Sequence, residues 1–246
     1  MKNILILGGT ADARQLAGKL AGRFDVTLSL AGRTENPVAQ GVPVRVGGFG
    51  GAEGLAAYLR DNRVDLLIDA THPYAAHISA NAAKAAAVAN VPAIALRRPA
   101  WERQPGDRWT SVESASEAVG LLGARPRRVF LALGRQELLP FEAASQHAYL
   151  IRSVDPVEPP LAVPDATYIL ARGPFSEAGD RALLETHGID AIVSKNSGGQ
   201  ATYGKIAAAR ALGVEVFIIR RPPLPDLPSG ADVDETVRLA DHALAP

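Results

Sequence analysis

Short, wholly apolar runs alternate along this chain with longer stretches in which apolar residues recur three or four positions apart. The runs predict buried strands, and the stretches predict amphipathic helices. Ile4-Leu5-Ile6-Leu7 is the first run, and after Gly8-Gly9-Thr10 the residues Ala13, Leu16, Ala17 and Leu20 fall at helical spacing. Val26 to Leu30 predicts the next strand. Pro43-Val44-Arg45-Val46 then runs into a glycine-rich turn, Gly47 to Gly51, and a helix carrying Leu55 and Leu59. Asp65 to Asp69, Pro92 to Leu96, Arg128 to Leu133, Ala148 to Ser153, Thr167 to Ala171, Ala191 to Val193 and Val214 to Ile219 read as further strands. Ser114 and Glu117 form a capping box opening a helix, and the last helix runs from Val233 to Ala243. Strands and helices alternating from end to end predict an α/β fold with mostly parallel sheets.

Two features divide the chain. Residues 99–112 break the rhythm and hold both tryptophans, which predicts a linker or interdomain loop. The two sides of that break also look alike. The stretch from Gly47 to Pro73 answers the one from Arg172 to Ser197, each leading through an Ala-rich helix into a strand that ends in Arg-Arg-Pro. Gly8-Gly9-Thr10 answers Gly134-Arg135-Gln136. Two Rossmann-like domains are expected, 1–99 and 100–246, with a ligand cleft between them, because ligands of open parallel sheets sit beyond the carboxyl ends of the strands.

Composition narrows the function. Net charge is zero, so nothing points to nucleic acid or an anionic membrane surface. No cysteine is present, which removes disulfides, thiolate chemistry and cysteine-ligated metals. The first apolar run is too short for a signal peptide and no stretch approaches a membrane span, so a cytoplasmic location is expected. Only Lys2, Lys19, Lys84, Lys195 and Lys205 are lysines among 26 basic residues. That arginine skew suits a ligand rich in carboxylates or phosphates, and genomic codon bias produces it equally well.

The candidate chemistry lies at strand ends. A strand, a glycine turn and a helix in the order Asn3 to Leu20 make an anion site, because the first N–H groups of a helix are unpaired and its dipole favours negative charge. The dinucleotide fingerprint lacks its middle glycine here, so the spacing fits either a nucleotide site or an ordinary α/β turn. No acid stands at the tip of the second strand, where a ribose-binding carboxylate would lie; Ser29, Arg33 and Thr34 suit a 2′-phosphate instead, which argues for NADP(H) over NAD(H). Thr71-His72-Pro73-Tyr74 follows a buried strand and offers two proton-transfer side chains. Lys195-Asn196-Ser197-Gly198-Gly199 offers a cation, an amide, a hydroxyl and a nest of N–H groups, with Thr202 and Lys205 after it. Arg135 and Arg172 each sit beside a glycine after a strand and could clamp an anion. No tyrosine has a lysine four residues on, no nucleophile elbow, Walker loop or zincin motif is present, and the histidines do not cluster, so metal catalysis is not expected.

The set LILGGTADARQLA, ATHPYA, LGRQEL, RGPF and SKNSGGQATYGKIAAARALGVEVFIIRRP, in that order, resembles the precorrin-6A reductase family of cobalamin biosynthesis along nearly the whole chain. The resemblance implies two Rossmann-like domains and an NADPH-dependent reduction of one double bond in a tetrapyrrole, precorrin-6A to precorrin-6B, whose many carboxylates the arginines would meet. It implies that Gly8, Gly9, Thr10 and Arg14 hold the diphosphate. Thr71, Ser197 and Gly198 would flank the nicotinamide, and Arg135, Arg172, Asn196 and Lys205 would bind substrate. Lys195, His72 and Tyr74 are the proton-transfer candidates beside a water. Neighbouring enzymes of the pathway are candidate partners. The alternatives are the cobalt-precorrin-6A reductase of the anaerobic route and a non-catalytic dinucleotide-binding sensor domain.

Overall fold

The computed structural model describes residues 1–32 and 38–245, which form two compact units. Unit 1 comprises Met1–Pro99 and Pro222–Pro246; unit 2 comprises Ala100–Arg221.

In unit 1 the first strand, β1 (Asn3–Leu7), leads into α1 (Ala11–Leu20), β2 (Asp25–Leu30), β3 (Val44–Val46), α2 (Gly51–Asp61), β4 (Leu66–Asp69), α3 (Ala76–Ala89) and β5 (Ala93–Leu96). After Asn3, β1 is apolar and buried from Ile4 to Leu7 because both faces of its sheet are covered. Ile4 and Ile6 pack with Leu16 and Leu20 of α1, whereas Leu5 and Leu7 pack with Leu55 and Leu59 of α2 and Ala82 and Ala85 of α3.

Unit 2 contains β6 (Arg108–Val112), α4 (Ala115–Leu122), β7 (Arg128–Ala132), β8 (Ala148–Ser153), β9 (Ala166–Leu170), α5 (Glu177–Thr186), β10 (Ala191–Lys195), α6 (Gly204–Leu212) and β11 (Glu215–Ile219). The chain then supplies β12 (Ser229–Gly230) and α7 (Val233–Ala243).

Each unit holds a six-stranded sheet, and all the pairings are parallel. Unit 1 has the order β3-β2-β1-β4-β5-β12 and unit 2 the order β9-β8-β7-β10-β11-β6. Both are the Rossmann order, with β1 and β7 central and the strand order reversing beside each. The sixth strand of each sheet follows the fifth strand of the other unit: β6 comes after β5, and β12 comes after β11.

That exchange corrects two expectations. Residues 222–246 belong to unit 1 rather than to a domain spanning 100–246. Ala95 N–H donates to Pro228 O at 2.9 Å and Arg97 N–H to Gly230 O at 2.8 Å, while Val233 and Ala240 of α7 join the core beside α1. Residues 108–112, expected within a linker, form the sixth strand of unit 2. The repeat is also unequal after its first strands. Gly8-Gly9-Thr10 opens α1, but Gly134 opens two short 3₁₀ turns, Arg135–Glu137 and Leu139–Ala144.

Lys205 was expected to contact substrate; in the structure it is buried. It is 3% exposed; its Nζ donates to Thr202 O at 2.7 Å and lies 4.8 Å from the Trp101 ring centroid. Close by in charge are Arg152, which pairs with Asp180 and lies 3.6 Å over the Phe175 ring, and Asp180 itself. Burial pushes the Lys205 ammonium down to about 7; the Arg152 charge pushes the same way and Asp180 opposes.

Two predictions follow from this packing. A Cβ on Gly230 would stand 2.5 Å from the backbone N of Thr236, a contact that only a backbone shift relieves. Gly230→Ala should therefore destabilise unit 1 by about 1–3 kcal/mol, read as a lowered melting temperature; an unchanged value would mean that β12 is not fastened to α7. Because the folded pKa of Lys205 lies below its ordinary value, the folded state binds fewer protons, and stability is lost as pH falls from about 10.5 to about 7. Lys205→Met should remove that slope from the melting temperature measured across pH, and an identical slope in the variant would contradict the buried ammonium.

Candidate functional site

The carboxyl ends of β1, β2 and β4 meet the glycine-rich turn after β3 around a pocket of about 190 Å³. Its walls include Gly8, Ser29, Phe49, Thr71 and Asn81, with the turn from Gly47 to Gly51 on one side. Gly8 is required by packing: a Cβ there would stand 2.6 Å from Leu28 Cδ1. Gly9 is required by conformation, at φ +112°, and a Cβ there would meet nothing within 4 Å. The strand-to-helix turn is therefore exposed and uncrowded at Gly9, just before α1, as close approach of an anion to a helix start requires. α2 begins on the same pocket at Gly50, with no side-chain cap.

Thr10 does different work from that expected of it. Its hydroxyl accepts from Ala13 N–H at 3.0 Å and donates to Ala70 O at 3.1 Å. The side chain caps α1 and ties the turn to the end of β4, so what the turn offers a phosphate is backbone. Arg14 lies on α1, half-buried, one turn on. Ser29 is buried at the end of β2; its carbonyl accepts from Gly8 N–H at 2.9 Å. Arg33 and Thr34 lie outside the described residues.

Asp69 ends β4 and is 1% exposed. Thr71 donates to its Oδ1 twice, from N–H at 3.1 Å and from Oγ1 at 2.7 Å, and Arg97 forms an ion pair with its Oδ2. Burial disfavours its charge, but the Arg97 hydrogen bond and charge, with Ser79 and Thr71, hold the carboxyl below its ordinary range. Thr71 was expected to touch cofactor. It lines the pocket, but its hydroxyl is committed to Asp69. The loop so anchored carries His72 and Tyr74, both half-buried, with ring centroids 5.6 Å apart. Tyr74 N–H approaches His72 Nδ1 at 3.4 Å, a contact that favours the neutral tautomer carrying its proton on Nε2. A second small cavity lies beside this loop, walled by Thr10, Asp12, Pro73 and Arg98, where Arg98 donates to Asp12 at 2.6 Å.

The unit 2 candidates gather at the carboxyl ends of β7, β9 and β10. Lys195 ends β10 and forms an ion pair with Glu137 of the first 3₁₀ turn. Arg135 and Arg172 are exposed, and Arg135 Nη1 donates to Pro156 O at 3.3 Å. Asn196 was expected to bind substrate, but its amide clamps the backbone of Trp101: Oδ1 accepts from Trp101 N–H at 2.7 Å and Nδ2 donates to Trp101 O at 2.9 Å. Trp101 Nε1 donates to Gly199 O at 2.7 Å, so the Ser197-Gly198-Gly199 turn and the segment after Pro99 are bound to each other. Ser197 is half-buried and Gly198 buried, with φ +68°.

Sequence reading missed Arg45, Phe49, Asp69, Asn81 and Arg97. The signals were an acid closing a buried strand and five glycine-rich positions before a helix. Among the described residues, no group of three or more His, Cys, Asp or Glu side chains is placed to hold a metal, and no helix is long and apolar enough to cross a membrane.

Comparison with known proteins places this geometry. The family model described as Precorrin-6x reductase CbiJ/CobK matches residues 3–241. The precorrin-6A reductase of a Sinorhizobium species is 59% identical over 245 residues, covering 99% of this chain and 94% of the relative. That of Rhodobacter capsulatus is 48% identical, covering 100% and 99%. The cobalt-precorrin-6A reductase of Priestia megaterium is 31% identical, covering 90% and 91%. A solved structure titled CobK precorrin-6A reductase superimposes with a TM-score of 0.95 at 47% identity, over 100% of this chain and 98% of the other. With two parallel sheets in Rossmann order, a glycine cradle after the first strand and a family match over almost its whole length, this chain belongs to the precorrin-6x reductase family of oxidoreductases.

Proposed function

We propose that this chain reduces precorrin-6A to precorrin-6B with NADPH, in cobalamin biosynthesis. The observation that supports the cofactor half of this reading is the pocket at the ends of β1, β2 and β4, lined by Gly8, Ser29 and the glycine-rich turn after β3. The relatives named precorrin-6A reductase support the substrate half. Their identities of 59% and 48%, against 31% for the relative named for a cobalt substrate, favour the metal-free ring.

Bound NADPH supplies hydride to one carbon of a ring double bond, and an acid completes the reduction by protonating its neighbour. The residues of this chain hold and orient. Gly8 and Gly9 let the diphosphate approach the backbone, the first turn of α1 supplies N–H donors, and Ser29 faces the ribose end. Thr71, locked by Asp69, fixes the loop that carries His72 and Tyr74. His72, Tyr74 and Lys195 are the candidate proton donors, beside a water. Arg135 and Arg172 are exposed cations suited to the carboxylates of a tetrapyrrole. A cytoplasmic location and hand-off to neighbouring pathway enzymes belong to the same reading.

Mixed anaerobically with precorrin-6A and NADPH, the protein should change the macrocycle spectrum and consume reduced nicotinamide in equal amounts, much more slowly with NADH. Binding of NADPH with neither change would favour a sensor domain. His72→Asn should lower kcat by about 10²-fold or more while leaving the KM for NADPH little changed; an unaltered kcat would move the proton to Tyr74, Lys195 or water.

A further inference from the structure

We infer that Arg45 reads the 2′-phosphate of the cofactor together with the Ser29 hydroxyl, and so sets the preference for NADPH over NADH. The inference rests on the cofactor reading above. Arg45 is the middle residue of β3 and pairs in register with Ser29 of β2. Its Nη1 stands 3.4 Å from Ser29 Oγ and also donates to Gly47 O; Nη2 donates to Gly48 O at 2.7 Å. The guanidinium lies 3.7 Å from the centroid of Phe49 and 5.4 Å from that of Tyr58.

Every one of these partners is neutral. Arg97, Arg98, Arg127, Arg152 and Arg210 each meet a carboxylate, but Arg45 forms no ion pair among the described residues. Carbonyls and ring faces replace the hydrogen bonds that a half-buried guanidinium gives up on leaving water, but they do not balance its charge. The site therefore favours an anion. Its place defines which anion. In a sheet of this order the ribose lies at the end of the second strand, and the choice between a hydroxyl and a phosphate on that ribose is made there. Ser29 is at that end and lines the pocket, as do Gly47 and Gly48, whose carbonyls Arg45 holds. Arg45 thus approaches the pocket from the neighbouring strand, outside the stretch just after β2 where sequence reasoning looks for a phosphate ligand.

The test compares NADPH and NADH binding, read by nicotinamide fluorescence without substrate, for the wild type, Arg45→Gln and Arg45→Lys. Arg45→Gln should weaken NADPH by about 10- to 100-fold, the scale of one or two charge-assisted hydrogen bonds, and leave NADH unchanged. Arg45→Lys should keep part of the preference. In the wild type, adenosine 2′,5′-bisphosphate should displace NADPH far better than adenosine 5′-monophosphate does, a comparison that needs no variant to fold. Equal weakening of both cofactors would overturn the inference and make Arg45 a brace for the glycine turn. Equal displacement by the two adenosine nucleotides would overturn it as well. A wild type that binds neither NADPH nor NADH would overturn the cofactor reading itself.

Discussion

The ion pair between Asp69 and Arg97 ties the end of β4 to the residue that follows β5 in unit 1. Asp69 is buried at the end of a central strand, where an ionised carboxylate is tolerated only against a matched cation. Removing one partner of such a pair costs about 3–5 kcal/mol, because the other is left charged and dry. Arg97 also gives its backbone N–H to Gly230, so the same residue joins β4 to the strand that arrives from the far end of the chain. Through Thr71 and Ser79 the pair fixes the loop of His72 and the start of α3. The polar residues at the end of β4, beside the pocket, are thus set by a contact whose members stand 28 positions apart.

The two halves use the same Arg-Arg-Pro ending differently. Asp69 lies opposite Ala95, two residues before Arg97; Ser194 lies opposite Ile218, two residues before Arg220. Unit 2 therefore has a hydroxyl where unit 1 has the carboxylate, and Arg220 turns to the exposed Glu113 instead. Unit 2 also lacks an α-helix directly after its first central strand, where Pro140 and two 3₁₀ turns stand in place of α1. A common plan has left the helix-start anion site after the first strand in one unit and not in the other.

Much of this was legible in the sequence, for a physical reason. Buried parallel strands must be apolar on both faces, so Ile4 to Leu7 and Leu66 to Ile68 declare themselves. Helix starts such as Ser114 and Asp232 carry their own caps. The two exchanged edge strands do not. β6 is half polar, and β12 is two residues in a proline-rich stretch, held by backbone bonds that leave no side-chain pattern. Lys205 reads as a substrate-binding cation after the Lys195–Gly199 loop, since nothing local reveals that it will lie buried against Trp101. Arg45 escaped notice because its partners are carbonyls and rings rather than charges.

The exchange of sixth strands has a consequence for biosynthesis. Unit 2 is continuous in sequence, whereas unit 1 needs residues that are made after all of unit 2. During synthesis the first 99 residues emerge with the outer edge of β5 uncovered and α1 without α7, and they stay so while all of unit 2 is made. Order of emergence then favours unit 2 as the earlier completed body, although it lies second in the chain. The half with the open strand-to-helix turn is therefore completed after the other, once α7 has docked beside α1.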